Sequence, residues 1–219
     1  CSEMNIAVIH TSFNVCVTAL LLPMNGLLVR LATLSVPDGK QEEKPVLLDE
    51  RLLATPAVAI QRSQDIAARM AEDSAQAMGL AMGLIRKFDR KSLDRVLELE
   101  NNTDRYEDAL GTYLVQLSSR SLSVADSRIL NTLLYTISDV ERIADHAVNV
   151  GKAALEMEEK KIVFSQQAQG ELEVLERAIS DILGRTVEAY RSFDRELARK
   201  VEPQEQVVDA LVREIKSRH

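Results

Sequence analysis

Acidic side chains recur at helical spacing in three places along the chain. Glu100, Asp104 and Asp108 stand at i, i+4 and i+8, Glu141, Asp145 and Asn149 repeat the same steps, and Glu205 with Asp209 begins them again. Residues four apart lie one above the other on a helix face. Like charges placed so destabilise an isolated helix by about 0.2–0.5 kcal/mol per pair. A bound cation would offset that repulsion, and an all-oxygen donor set suits Mg²⁺, Ca²⁺, Mn²⁺ or iron rather than structural zinc. The alternative is a plain solvated acidic face, which a chain with 34 acids can produce by chance. With Val140 as reference and about 100° per residue, Glu141 falls near 100° and Asp145 near 140°, on the flank of an apolar seam. Both alternatives fit that placement.

Other chemistry has few candidates. His146 has Ile143 three residues before it, so the Glu-x-x-His ligand pattern of ferritin-like di-metal enzymes is missing. With three histidines in all, the chain offers no Ser/His/Asp or Cys/His set. No glycine-rich phosphate loop is present, and no catalytic residue is assigned. A net charge of −7 argues against a nucleic-acid partner.

The elements that must carry these residues are helices. The 219 residues include only 8 Gly and 5 Pro, too little turn chemistry for a sandwich, barrel or propeller. From Ala57 to Glu202 there is no proline. Met70, Ser74, Ala77, Ala81, Leu84 and Phe88 alternate steps of four and three. Leu130, Leu133, Ile137, Val140, Ala144, Ala147 and Gly151 do the same. These are seams of packed, nearly antiparallel helices, with small residues that allow close axes. Breaks and N-cap residues such as Ser123 and Ser165 predict helices at about 55–88, 92–118, 124–160, 166–192 and 195–217. Phe88-Asp89-Arg90 returns as Phe193-Asp194-Arg195, an ungapped offset of 105 that also pairs Glu100 with Glu205 and Asp104 with Asp209. A three-helix unit used twice is the expected architecture. Its second copy is expected to lack a third helix within this chain.

The N-terminal part is different. Residues 4–29 contain no charged side chain. At 1.5 Å per residue a helix of that length would span about 39 Å, more than the roughly 30 Å of bilayer hydrocarbon. Residues 1–34 are expected to hold a transmembrane helix, with a buried core helix as the alternative. His10, Thr11, Ser12, Asn14 and Thr18 are costly in lipid unless they face protein, which suggests packing in a larger membrane bundle. Pro23, Asn25 and Gly26 would break the helix near its end, and Cys16 would be a packed thiol. The start at Cys1 suggests a piece of a longer protein. Residues 35–52, with Pro37, Gly39 and Pro45, form a linker, and Arg30, Lys40 and Lys44 favour a cytoplasmic C-terminal side. The helical domain would occupy 53–219, with a first bundle at about 53–160 and an incomplete second at about 165–219.

The run Asp139-Val-Glu141-Arg142-Ile-Ala-Asp145-His146-Ala-Val-Asn149 resembles the signature of the PhoU family, D-x-E-R-x-x-D-H-x-x-N. That resemblance implies an all-α fold of tandem three-helix bundles. It also implies metal clusters, of iron, Mg, Mn or Zn, held by paired acids: Glu100 with Asp104, Glu141 with Asp145, and Glu205 with Asp209. A fourth motif would fall beyond His219. The N-terminal segment, through Ala7, His10, Phe13, Asn14 and Pro23, is similar to the last membrane helix of bacterial sodium/phosphate cotransporters. In that family a PhoU-like domain follows, near a segment like Leu48–Leu53 and Thr55-Pro56. The resemblance implies the C-terminal part of a sodium-dependent phosphate symporter of the inner membrane, multi-pass, with its helical domain cytoplasmic. The upstream transporter core would be its partner, and phosphate and sodium would bind outside this chain. A homodimer is among the assemblies it allows. The alternative is a PhoU-type signalling adaptor that transports nothing, and a metal-dependent enzyme is a third class.

Overall fold

The structure is a computed structural model that describes residues 2–21 and 48–218. It divides into two units, one holding the N-terminal helix and the other everything from residue 48 onward. Every element among the described residues is helical.

Helix α1 covers Ser2–Leu21. Val8, Phe13 and Val15 are exposed on it, and Cys16 is a free, exposed thiol rather than a packed one. Asn14 Nδ2 lies 3.2 Å from His10 Nδ1, one turn away. Among the described residues no helix is long and apolar enough to cross a membrane. The expected transmembrane helix is therefore not supported, nor is a multi-pass membrane placement. Residues 22–29 of the expected span, with Pro23, Asn25 and Gly26, lie outside the described residues. So does most of the expected linker.

The second unit starts earlier than the sequence suggests. Asp49 caps a 3₁₀ turn at Glu50–Ala54 by accepting from the Arg51 N–H, and the Tyr113 hydroxyl donates to the Asp49 carbonyl at 3.2 Å. Leu48 and Leu52 pack on the core, so residues 48–52 belong to the helical domain. Three long helices follow: α2 at Pro56–Arg86, α3 at Arg90–Ser118 and α4 at Val124–Lys160. Pro56 sits at the first turn of α2, where a missing N–H costs nothing. Asp89 caps α3 by accepting from the Ser92 N–H, and Ser123 caps α4 by accepting from the Asp126 N–H. The loops are short, so neighbours run antiparallel, and each of the three helices packs on the other two.

The core runs along this bundle in layers. Ile66, Met70, Leu110, Leu114, Leu117 and Leu133 fill one end, and Leu84, Leu93 and Ala154 fill the other. Between them many of the buried residues are small, among them Ser74, Ala77, Thr103, Ala144 and Ala147, packed with Val96, Leu99 and Val148. The hydroxyls of Ser63, Ser74 and Thr103 each donate to the carbonyl four residues earlier, at 2.9 Å. They are thereby satisfied without a partner on another helix. At Gly151 a Cβ would lie 2.8 Å from Leu93 Cδ1 and 3.8 Å from Leu84 Cδ1. There α4 comes against both neighbours with no room for a side chain.

The remaining helices are α5 at Gln166–Ser192, α6 at Arg195–Arg199 and α7 at Val201–Arg218. Helix α5 packs on α2 and α7, and Arg86 pairs with Glu176 at 3.0 Å. Ala189 is the only buried residue of α5, and α6 and α7 have none. The sequence predicts one helix over 195–217; it breaks at Lys200. Pro203 is the cause. It has no N–H for an unbroken ladder, and its ring would meet the Arg199 carbonyl. Starting a new helix at Val201 places Pro203 in the first turn, where it is tolerated. Phe193, the C-cap of α5, has φ of 52°, a left-handed conformation that costs a non-glycine residue about 1–2 kcal/mol.

Where α4 meets its neighbours at Gly151, added bulk has no space to occupy. Gly151→Val should lower the unfolding free energy by about 1–3 kcal/mol, as overpacking does. Gly79→Ala, where a Cβ has open space around it, should be neutral or gain up to about 1 kcal/mol in helix propensity. Urea unfolding of both variants tests the contrast.

Candidate metal centre on the acidic face

Each acid of the first two clusters is the chain neighbour of a seam residue. Leu99, Thr103 and Ala144 are fully buried beside Glu100, Asp104 and Asp145, and half-buried Val140 precedes Glu141. Burying the seam residue turns the acid about 100° away, onto the rim between α3 and α4. Glu100 and Glu141 are half-buried there, while Asp104 and Asp145 are exposed.

Two contacts fix the antiparallel register of these helices. Gly151 lies against Leu93, and the Ser138 hydroxyl donates to Glu107 Oε1 at 2.7 Å. Three residues along each helix from the Ser138–Glu107 pair, Glu141 stands opposite Asp104. Four further on, Asp145 stands opposite Glu100. The two i, i+4 pairs therefore face each other across the groove.

Their electrostatics follow. Burial holds the Glu100 carboxyl above the usual range, with Asp104 and Asp145 adding repulsion that Lys152 partly relieves. Asp104 is raised by burial and then by Asp145, Asp108 and Glu107. Glu141 is raised by burial and then by Asp145, Asp104, Glu107 and Glu100. None of the four carboxylates makes an ion pair or hydrogen bond among the described residues. The set is rich in oxygen and deficient in positive charge, which fits a hard cation. It is not gathered into a cage: among the described residues no three Asp, Glu, His or Cys side chains converge closely enough to hold a metal ion.

Glu205 and Asp209 are apart from this face. Both are exposed on α7, which packs on α5 and α6. His146 and Asn149 are exposed on α4. Glu107 is a member of the acidic face that spacing at i, i+4 misses. Its i+3 relation to Asp104 could have found it, but its bond to Ser138 is visible only across helices.

Residues 67–154 match the PhoU domain family, so the match covers the closed bundle from the middle of α2 nearly to the end of α4. Two curated relatives are each named phosphate-specific transport system accessory protein PhoU homolog. One, from Xylella fastidiosa strain 9a5c, is 25% identical over 142 residues, covering 65% of this chain and 59% of the relative. The other, from Xylella fastidiosa strain Temecula1, is 28% identical over 87 residues, covering 40% of this chain and 36% of the relative. The chain thus spans less than two thirds of the length of these relatives. No solved structure matches.

The raised carboxyls give a signed pH dependence. A carboxyl whose value is higher folded than unfolded favours the folded state when protonated. That contribution is complete below about pH 4, the unfolded carboxylate value, and is lost as pH rises through the folded value. Asp104→Asn and Glu141→Gln should each stabilise the domain at pH 7 by about 0.2–0.5 kcal/mol per relieved neighbour. The gain over the parent should fade toward zero by about pH 4. Urea unfolding in metal-free buffer at both pH values measures it.

Proposed function

We propose that the PhoU-like domain carried by this chain is a regulatory adaptor of a phosphate transport system, acting by binding rather than by catalysis. The observation that carries this reading is the family match over 67–154, which falls on the one closed bundle and on its acidic face. The names of the two relatives place those proteins with phosphate-specific transport, and the same setting is proposed here. A host that lacks its own protein of this kind provides the test. Expression of this chain should repress a phosphate-starvation reporter in phosphate-rich medium without conferring phosphate uptake. A reporter that stays induced would count against the adaptor.

A second reading is that the chain is the C-terminal part of a sodium-dependent phosphate symporter. It is favoured by the uncharged run 4–29 and by the exposed apolar side chains of α1. In that reading α1 packs on an upstream transporter core and the helical domain is cytoplasmic. Sodium-dependent phosphate uptake in the same host would select it.

The acidic face is proposed to hold a metal through Glu100, Asp104, Glu141 and Asp145. Bound there, a divalent or ferric ion would supply the positive charge that the face lacks. The chain's part is to keep α3 and α4 in the register that opposes the acids. Glu205 and Asp209 are assigned to a separate site on α7. After purification the domain should retain metal on elemental analysis, and Glu141→Ala with Asp145→Ala should lower that content. Added Mn²⁺ should raise the melting temperature of the parent and not of this variant. Equal metal content in the two proteins would remove the assignment.

A further inference from the structure

A second cleft lies along the helices from the acidic rim. It has a volume of about 470 Å³ and is bounded by the start of α4, the end of α5, and α6 with the first residue of α7. Small-molecule sites fall in the range of about 300–1,000 Å³ and combine apolar walls with a few polar groups. This cleft has that make-up. Its apolar wall includes Ile129, Ala189, Tyr190, Phe193 and Val201. Tyr190 and Phe193 are stacked, with ring centroids 6.0 Å apart and planes at 26°. The Tyr190 hydroxyl lies 2.9 Å from Thr136 Oγ1 on α4, which fixes that ring. Phe193 is held by the C-cap of α5, where the Asp194 N–H donates to the Ala189 carbonyl at 3.1 Å. The wall is thus built before any ligand arrives.

The charges on the cleft point to the ligand. Three charged residues line it: Arg128, Arg195 and Asp194. The Asp194 carboxylate is engaged, since its Oδ1 accepts from the N–H groups of Glu196 at 2.8 Å and Leu197 at 3.1 Å. Among the described residues neither arginine side chain makes an ion pair or hydrogen bond. Both are exposed. In a chain of net charge −7, two unpaired guanidiniums beside an aromatic wall form a local site of the opposite sign. Guanidinium forks match carboxylate and phosphate oxygens.

We infer that this cleft binds a small organic anion, whose apolar body lies on the Tyr190–Phe193 wall and whose acidic head is taken by Arg128 and Arg195. The site is independent of the phosphate-regulation reading and of the acidic rim. Residues from the closed bundle line one side, Arg128, Ile129 and Thr132, and residues from α5 to α7 line the other. Occupancy therefore ties the two parts of the helical unit together.

Two fluorescent dyes of similar size separate the contributions: anionic 1-anilinonaphthalene-8-sulfonate and neutral N-phenyl-1-naphthylamine. The parent chain should bind the anionic dye saturably at a single site. Arg128→Glu with Arg195→Glu should weaken that binding by at least about tenfold, as loss of a charge-assisted contact does, and leave the neutral dye nearly unchanged. Both arginines are exposed and unpaired, so the melting curve should match the parent. Ala198→Trp, which fills the cleft from α6, should abolish binding of both dyes. Undiminished binding of the anionic dye by the charge-reversed variant would overturn the assignment to anions. Its persistence in Ala198→Trp would place the dye elsewhere and overturn the site.

Discussion

Three long helices pack closely here because many of the residues that meet between them are small, and that closeness governs most of what the domain presents to solvent. Ser74, Ala77, Thr103, Ala144 and Ala147 are fully buried, and Gly151 meets Leu93 with no space for a Cβ. A larger residue at any of these positions would separate the axes or shift the sliding register. The larger apolar residues, Met70 and Leu114 toward one end and Leu84 and Leu93 toward the other, contribute burial, and the close approach of Gly151 to Leu93 contributes to the register. The hydroxyls of Ser74 and Thr103 serve the same end: bonded back to their own helix, they are small and dry without requiring a cross-helix partner.

Register is what turns two ordinary helical acid pairs into one electrostatic feature. Glu100 and Asp104 on an isolated helix would repel each other modestly and be screened. Set opposite Asp145 and Glu141, with the seam residues removing water from one side, they are raised above the ordinary carboxylate range first by burial and then by neighbouring carboxylates, Asp145 among them in both cases. The bundle tolerates this because the rim stays open enough for solvent to reach Asp104 and Asp145. Packing and charge are therefore opposed here. The contacts that stabilise the seam hold the like charges together.

Much of this was legible in the residues, and the parts that were not have definable causes. The two seams were readable because steps of three and four leave a periodic record, and the helix starts at Ser123 and Ser165 because capping chemistry is local. The i, i+4 acids were readable for the same reason. Their opposition across the groove was not, because it depends on Gly151 meeting Leu93 and on Ser138 meeting Glu107, contacts between residues far apart in sequence. The uncharged N-terminal run is a different case. Among the described residues no helix is long and apolar enough to cross a membrane, and residues 22–29 of the run lie outside the described residues. Phe193 could not be anticipated either, since a bulky side chain at positive φ runs against propensity and is held here by stacking on Tyr190 and by packing on the core.

The internal repeat shows how one local motif leads to two outcomes. Asp89 and Asp194, 105 residues apart, do the same work: each accepts N–H bonds at the start of the following helix. After Asp89 the chain continues uninterrupted for 29 residues and enters the bundle. After Asp194 it proceeds for one short helix, because Pro203 forbids continuation through Arg199 and Lys200. The first copy thus yields a long face for the core, while the second yields a bend. That bend brings Ala198 and Val201 to the same cleft as Phe193 and Tyr190. A single proline at the offset position of Glu98 has changed the role of the repeat from packing a core to shaping a cavity.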